Sequence, residues 1–220
     1  MEFNRKIYIM PQKIAPRRFF TADYHFNHKN VIAYENRPFK DVDDMNNKLI
    51  FNHNDMVKDE DICYALGDIY FRGGIQAGNQ HYYEFLKRMN GRIVIVKGNH
   101  DKKSNKIIDS IQSCTMYISG IKILCVHDPI NATTNYPLVL CGHVHSAFKI
   151  AELQEKNKKS LIINVGVDVW DYKPVEWRRL YELYEQWRVG KIKAPLYDKE
   201  AVKKIREERR IQRKENLRGW

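Results

Sequence analysis

The sequence predicts an α/β fold, and three observations carry that prediction. Short apolar runs at residues 18–22, 61–66 and 92–97 read as strands, the amphipathic stretches between them read as helices, and a polar turn closes each strand. This β-loop-α-β-α-β rhythm is that of a parallel or mixed sheet covered by helices.

The elements follow in order. Residues 7–10, before Pro11, fit an extra edge strand, and residues 18–22 a strand ending at Asp23. A polar loop containing His28 comes next. From 41 to 57, Val42, Met45, Leu49, Ile50 and Met56 recur at roughly helical spacing, with Asp41 or Asp43 as the N-cap. Residues 61–66 form a buried strand that stops at Gly67-Asp68. Tyr82, Phe85, Leu86 and Met89 mark a helix over 81–89 that Asn90-Gly91 ends. The strand at 92–97 then delivers Gly98-Asn99-His100-Asp101.

In the second half, runs at 115–119, 121–127, 138–141, 147–153 and 160–165 are joined by turns and predict an antiparallel set. Residues 176–188 form an amphipathic helix with Trp177, Leu180, Tyr181, Tyr184 and Trp187 on one face, ending near Gly190. That aromatic stripe is core or, alternatively, a nucleobase platform. Ala194-Pro195 breaks the chain before a basic C-terminal helical tail, so the expected organisation is one domain over 1–190 and a tail over 191–220.

Composition sets bounds. The 220 residues are 43% hydrophobic with a mean hydropathy of −0.60, and no apolar stretch reaches the roughly 18 residues that a membrane span needs. The first ten residues carry an early acid and no apolar core followed by a cleavage site, so a cytoplasmic location is expected. Cys63, Cys114, Cys125 and Cys141 lack a CxxC pair and read as reduced core thiols, with zinc or disulfide use as the alternative. The net charge of +11 is uneven: residues 199–220 hold nine Lys and Arg against four Glu. Such a tail either holds nucleic-acid phosphates or is a solvated helix with pairs such as Glu200–Lys204. The oligomeric state is not legible.

Five of the eight histidines fall in one ordered series with polar partners: Asp23-Tyr24-His25, Gly67-Asp68, Gly98-Asn99-His100-Asp101, Val126-His127 and Gly142-His143-Val144-His145. Almost every block follows an apolar run, where loops at the carboxyl ends of strands can carry polar groups together. Asp23, His25, Asp68, Asn99, His127, His143 and His145 supply seven oxygen or nitrogen donors and no thiolate. That set suits divalent Mn, Fe, Co, Ni, Zn or Mg and exceeds the demand of one tetrahedral ion, so two ions sharing a carboxylate is the economical arrangement.

These blocks resemble the five motifs of the calcineurin-like metallophosphoesterase superfamily, D-x-H, G-D, G-N-H-[DE], H and G-H-x-H, over residues 18–175. Residues 20–28, Arg37-Pro38-Phe39, Leu66-Gly67-Asp68 and Asn164-Val165-Gly166-Val167-Asp168 are similar to a bacterial and phage subgroup of small phosphoesterases. The resemblance implies a two-sheet mixed β-sandwich flanked by helices, a four-layer αββα arrangement. It implies that Asp23, His25 and His145 hold one ion, that Asn99, His127 and His143 hold the other, and that Asp68 bridges them. The two divalent ions would be Mn, Fe, Zn, Ni or Co, with Mn favoured, and a metal-bridging hydroxide would attack phosphorus in line. His100 would protonate the leaving oxygen or stabilise its charge, with Asp101 orienting it.

Where the protein phosphatase branch has a second Asp after its G-D, this chain has Phe71. Arg72 is in register with a phosphate-binding arginine and either clamps the scissile group or lies on the surface. His28 and Arg37 could reach substrate, the alternatives being a packed loop histidine and a structural turn. His53 and His81 are assigned no role. The expected substrate is a phosphate ester, first a phosphodiester or terminal phosphate of a nucleotide or nucleic acid. The alternatives are a small phosphomonoester, a phosphoprotein, or a non-catalytic scaffold that uses the fold to bind a partner.

Overall fold

Two sheets stack face to face in the computed structural model, which describes residues 15–71, 79–99, 101, 110–205 and 207–208. The first sheet has the order β3-β2-β1-β9, where β1 is Arg18–Thr21, β2 Ile62–Ala65, β3 Arg92–Ile95 and β9 Val175–Glu176. β1, β2 and β3 run parallel in the register Arg18↔Ile62↔Arg92, and β9 pairs antiparallel with β1. The second sheet has the order β4-β5-β6-β8-β7, with β4 Ser113–Ile118, β5 Ile121–Val126, β6 Leu138–Cys141, β7 Ile150–Glu155 and β8 Lys158–Asn164.

Here the antiparallel expectation fails at the centre. β5, β6 and β8 are parallel, and only the flanking β4 and β7 are antiparallel to their neighbours. The reason is burial: all four residues of β6 and the last five of β8 are buried, the continuous apolar pattern of a parallel strand covered on both faces. Each sheet therefore aims three parallel strands at the same edge.

Phe20, Leu138, Leu140, Leu161 and Ile163 fill the space between the sheets and meet Leu180, Tyr184 and Trp187 of α4, Trp177–Arg188. The aromatic stripe is thus core on its inner side. Tyr24, Phe26, Met45, Leu49 and Ile95 form a second core on the outer face of the first sheet, beneath α2, Val42–Met56. Asp41 caps α2, accepting from the amides of Asp43 and Asp44 at 3.1 and 2.9 Å. α3 spans Asn79–Lys87, close to the expected helix. The outer face of the second sheet is covered by Ala132, Tyr136, Phe148 and Tyr197.

Two elements escape sequence reading. α1, Lys29–Tyr34, has no side-chain cap and only Val31 buried, so the loop carried no helical signal. β9 is two residues long and exists through its pairing with Phe19 and Phe20. The expected strand at 7–10 lies outside the described residues. So do Arg72, His100, the side chain of His81 and the tail beyond 208.

All four cysteines are free, as expected of reduced core thiols. Beyond α4, residues 195–197 stay on the sandwich. The backbone amide of Glu152 donates to the carbonyl of Pro195 at 2.7 Å, and that of Tyr197 to the carbonyl of Glu152 at 2.8 Å. Residues 199–205 are helical, and Lys199 Nζ donates to the carbonyl of Ala132 at 2.7 Å. Among the described residues, no helix is long and apolar enough to cross a membrane.

Candidate metal centre

Each candidate ligand follows a parallel strand: Asp23 and His25 follow β1, Asp68 β2, Asn99 β3, His127 β5, and His143 and His145 β6. The ladders continue past the strands and bring these loops into register. The backbone amide of Asp23 donates to the carbonyl of Gly67 and that of His25 to the carbonyl of Asp68, both at 3.0 Å. The sheets also touch at this edge, where Ala22 bridges Gly166, and within the second sheet the β5–β6 ladder continues as the amide of Gly142 donates to the carbonyl of His127 at 2.9 Å.

The local backbone is costly. Asp23, His25, Asp68, His143 and His145 all lie at positive φ, between 45° and 71°. Non-glycine residues there cost of order 1–3 kcal/mol each and persist where surrounding contacts over-determine them. Gly98 explains one motif glycine, because a Cβ there would collide with the backbone nitrogen and carboxylate of Asp68.

Two groups of ligand atoms result, Asp23 with His25 and His145, and Asp68 with His127 and His143; within each group the atoms lie within 4.8 Å of one another. Asp68 Oδ2 is 3.3 Å from His127 Nε2 and 3.8 Å from His25 Nε2, so this carboxylate faces both groups. Asn99 joins the second group, its Nδ2 lying 2.9 Å from His143 Nδ1. Loop-to-loop bonds brace the whole: the amide of His143 donates to both oxygens of Asp23, at 3.1 and 2.9 Å.

The donor set fits divalent cations on three grounds. His127 Nδ1 donates to the carbonyl of Leu66 at 2.7 Å, which leaves Nε2 as the ligating nitrogen. That Nε2 is buried and, among the described residues, has no hydrogen-bond partner of good geometry. The electrostatics also ask for positive charge. Burial pushes the Asp23 carboxyl up to about 6, helped by Asp68 and Asp168 and opposed by His127 and His145. For His127, burial is outweighed by Asp68 and Asp23, which lift the imidazole to about 9, so a proton there stands where a cation could. Burial holds His25 neutral, down to about 2, and a ligating imidazole must be neutral.

Three residues expected near the substrate or the catalytic histidine make defined contacts among the described residues. Arg37 is 4% exposed and points away from solvent. It forks onto Asp168, with Nε at 2.7 Å from Oδ1 and Nη2 at 2.9 Å from Oδ2, and so is a buried clamp rather than a phosphate contact. Asp101 Oδ2 accepts from the amides of Asp68 at 2.9 Å and Gly98 at 2.8 Å, tying two ligand loops together, while its expected partner His100 lies outside the described residues. His28 is 9% exposed, contacts His25 Nδ1 through its own Nδ1 at 3.2 Å and stacks on Phe71 at 3.7 Å between ring centroids. It sits behind a ligand, and Phe71 fills the position of the phosphatase acid with an apolar ring. Arg72 and His100 lie outside the described residues.

Sequence reading placed Asp168 in a block of the subgroup resemblance but gave it no role at the site. Its side chain is 2% exposed, and its Oδ2 lies 2.9 Å from His145 Nδ1. Burial opposes its ionisation, but the bonds from His145 and Arg37 outweigh burial and hold the carboxyl below the usual range. The available signal was position: Asp168 follows β8, the parallel neighbour of β6.

A two-sheet sandwich flanked by helices, with these ordered blocks gathered at the carboxyl ends of its parallel strands, is the arrangement that the resemblance to the calcineurin-like metallophosphoesterases implies, and this chain has it. The chain belongs to the family of an uncharacterized protein of Methanocaldococcus jannaschii, with 38% identity over 175 residues, 78% of this chain and 93% of the relative. The structure of a protein of unknown function from Aquifex aeolicus is similar, with a TM-score of 0.58 and 25% identity, over 76% of this chain and 99% of that one. A nuclease of Pseudomonas putida is 17% identical over 69% of this chain and 75% of its own, with a TM-score of 0.39, too slight a likeness to add to the assignment. No family model matches the chain.

Proposed function

We propose that the protein is a binuclear-metal-dependent phosphoesterase. The observation that carries this reading is that two three-residue ligand groups share one edge, with the Asp68 carboxylate facing both. In this reading Asp23, His25 and His145 would hold one ion and Asn99, His127 and His143 the other, with Asp68 as the carboxylate that would serve both. Asn99 fits because a half-turn of its amide presents the oxygen in place of the nitrogen. The hard-to-borderline donor set is compatible with Mn, Fe, Zn, Ni or Co, and Mn is our choice. Bound divalent ions would supply charge neutralisation at the phosphate and an acidified water.

The chain's own residues do the rest. Leu66 and Asp168 fix the ring orientations of His127 and His145, so that each aims Nε2 into the site. Asp101 keeps the Asp68 and Gly98 loops at fixed separation. His100 is the proposed proton donor to the leaving oxygen and Arg72 the proposed phosphate clamp, both resting on the motif resemblance. Lys97, Gln112, Asp128 and Asn131 line a cleft of about 420 Å³ beside Asn99 and His127, space for the remainder of an ester.

A net charge of +11 supports a polyanionic substrate, and we favour a phosphodiester or terminal phosphate of nucleic acid in the cytoplasm. Binding of single-stranded RNA or DNA should weaken steeply with salt. Truncation after Glu208 removes Arg209, Arg210, Arg213, Lys214 and Arg218, and should make the log–log slope shallower by roughly 0.7 for each residue that contacts a phosphate. Equal slopes for the full and truncated chains would contradict a role for the tail. Turnover of a simple monoester with no nucleic-acid binding would favour the small-phosphomonoester reading.

A further inference from the structure

The two ligand groups differ in what stands behind them. In the group of Asp23, His25 and His145, Asp168 receives the Nδ1–H of His145 at 2.9 Å. A carboxylate held by a bidentate arginine only accepts, so the proton is on Nδ1 and the Nε2 lone pair is left for an ion. Arg37, with a fully buried side chain, makes that fork and reaches further. Its Nη2 also donates to the carbonyl of Asp23 at 2.7 Å, and its Nη1 to the carbonyl of Tyr24 at 3.0 Å. One guanidinium thus fixes the acid behind one ligand and the backbone of another, joining the β1 loop to the turn after β8.

Among the described residues, the Nδ1 partners of the second group's histidines are a carbonyl and an amide. His127 Nδ1 donates to a peptide carbonyl, that of Leu66, at 2.7 Å, and His143 Nδ1 meets the amide of Asn99 at 2.9 Å. Asp128, 14% exposed, lies 3.7 Å from the Nε2 of His143. An ionised outer partner raises the basicity of an imidazole ligand more than a neutral carbonyl does, and such partners are worth 10–100-fold in metal affinity.

We infer that Arg37 and Asp168 are positioning residues for one metal site only, and that their charged pair makes the two sites unequal, the Asp23–His25–His145 site being the tighter. The inference rests on the metallophosphoesterase reading above and deepens it. Neither residue touches the ester. They act through His145 and through the backbone of Asp23 and Tyr24.

The test is equilibrium binding of Mn²⁺ to the metal-free full-length protein, resolved into two dissociation constants. Wild type should show two unequal sites. Asp168→Asn keeps the shape and removes the charge, and should weaken the tighter site by about 10–100-fold while leaving the other within about twofold. Arg37→Lys keeps a buried cation and loses the fork, so it should weaken the same site in the same direction without an uncompensated charge. Loss confined to one site is the signature of positioning, since a general structural role would move both constants together. Constants unchanged in both variants, or shifted equally, would overturn the inference while leaving the phosphoesterase reading intact. A wild-type chain that binds no ion would instead overturn that reading, and the inference with it.

Discussion

Asp68→Asn is expected to lower Mn²⁺-dependent hydrolysis of bis-p-nitrophenyl phosphate by on the order of 10³-fold or more, with the fold retained. Outer-shell partners alone are worth about 10–100-fold, and Asp68 Oδ2 faces both ligand groups, so one substitution weakens two sites at once. The variant is a clean probe. Asp68 sits at φ 51°, a left-handed conformation that asparagine tolerates, and its backbone amide keeps its bond to Asp101 at 2.9 Å. Rates on purified proteins with matched circular dichroism give the answer, and a folded Asp68→Asn chain of full activity would refute the assignment.

The second large effect concerns acid stability and arises at His53. This ring lies at the centre of a buried chain in which Tyr24 Oη is 2.8 Å from Nδ1 and Nε2 is 3.0 Å from the carbonyl of Asn90. The carbonyl can only accept, so Nε2 carries the proton and Nδ1 accepts from Tyr24. Protonating Nδ1 would force the Tyr24 hydroxyl to turn and accept in place of donating, and would leave a charge in a buried site. Burial lowers the imidazole from 6.5 to about 4, against a smaller opposing contribution from Asn90. The folded state therefore binds this proton less readily than the unfolded chain, and the stabilisation is complete above pH 6.5 and lost as pH falls toward 4. Between pH 7 and 4.5 the metal-free protein should lose about 2–3 kcal/mol more unfolding free energy than His53→Gln, which cannot titrate there. Equal losses in denaturant titrations at the two pH values would show that His53 does not carry this dependence. A histidine that sequence reading left without a role is thereby the hinge between β1, α2 and the turn after α3.

Much of the fold was legible because its signals are local. The strands leading to Asp23, Asp68 and Asn99 are short apolar runs with abrupt polar ends, and α2 and α4 carry a helical period with a cap or a terminating glycine, Gly190 at φ 74°. What sequence could not supply was pairing. Direction in the second sheet depends on crossovers such as the β5 to β6 connection, which holds a 3-10 turn, Pro129–Asn131, in place of the helix that usually marks a parallel pair. β9 and α1 owe their existence to tertiary contacts and left no pattern to read.

The site divides in the same way. Ligand candidates could be read from residue type at strand ends, since chemistry fixes both. The outer partners could not, because Arg37 and Asp168 are 131 positions apart and meet only through the fold. An arginine near an anionic-substrate site reads as a phosphate contact, and only burial reassigns it. Asp101 is similar: its place beside His100 carried no sign that its Oδ2 would accept from the amides of Asp68 and Gly98.

The most direct test of the central claim is a titration of metal-free protein with Mn²⁺, following hydrolysis of bis-p-nitrophenyl phosphate against equivalents bound. Two ligand groups sharing Asp68 predict that the rate stays low through the first equivalent and rises to its plateau at two ions per chain. A plateau at one equivalent, or turnover independent of added metal in chelator-treated protein, would contradict a binuclear centre.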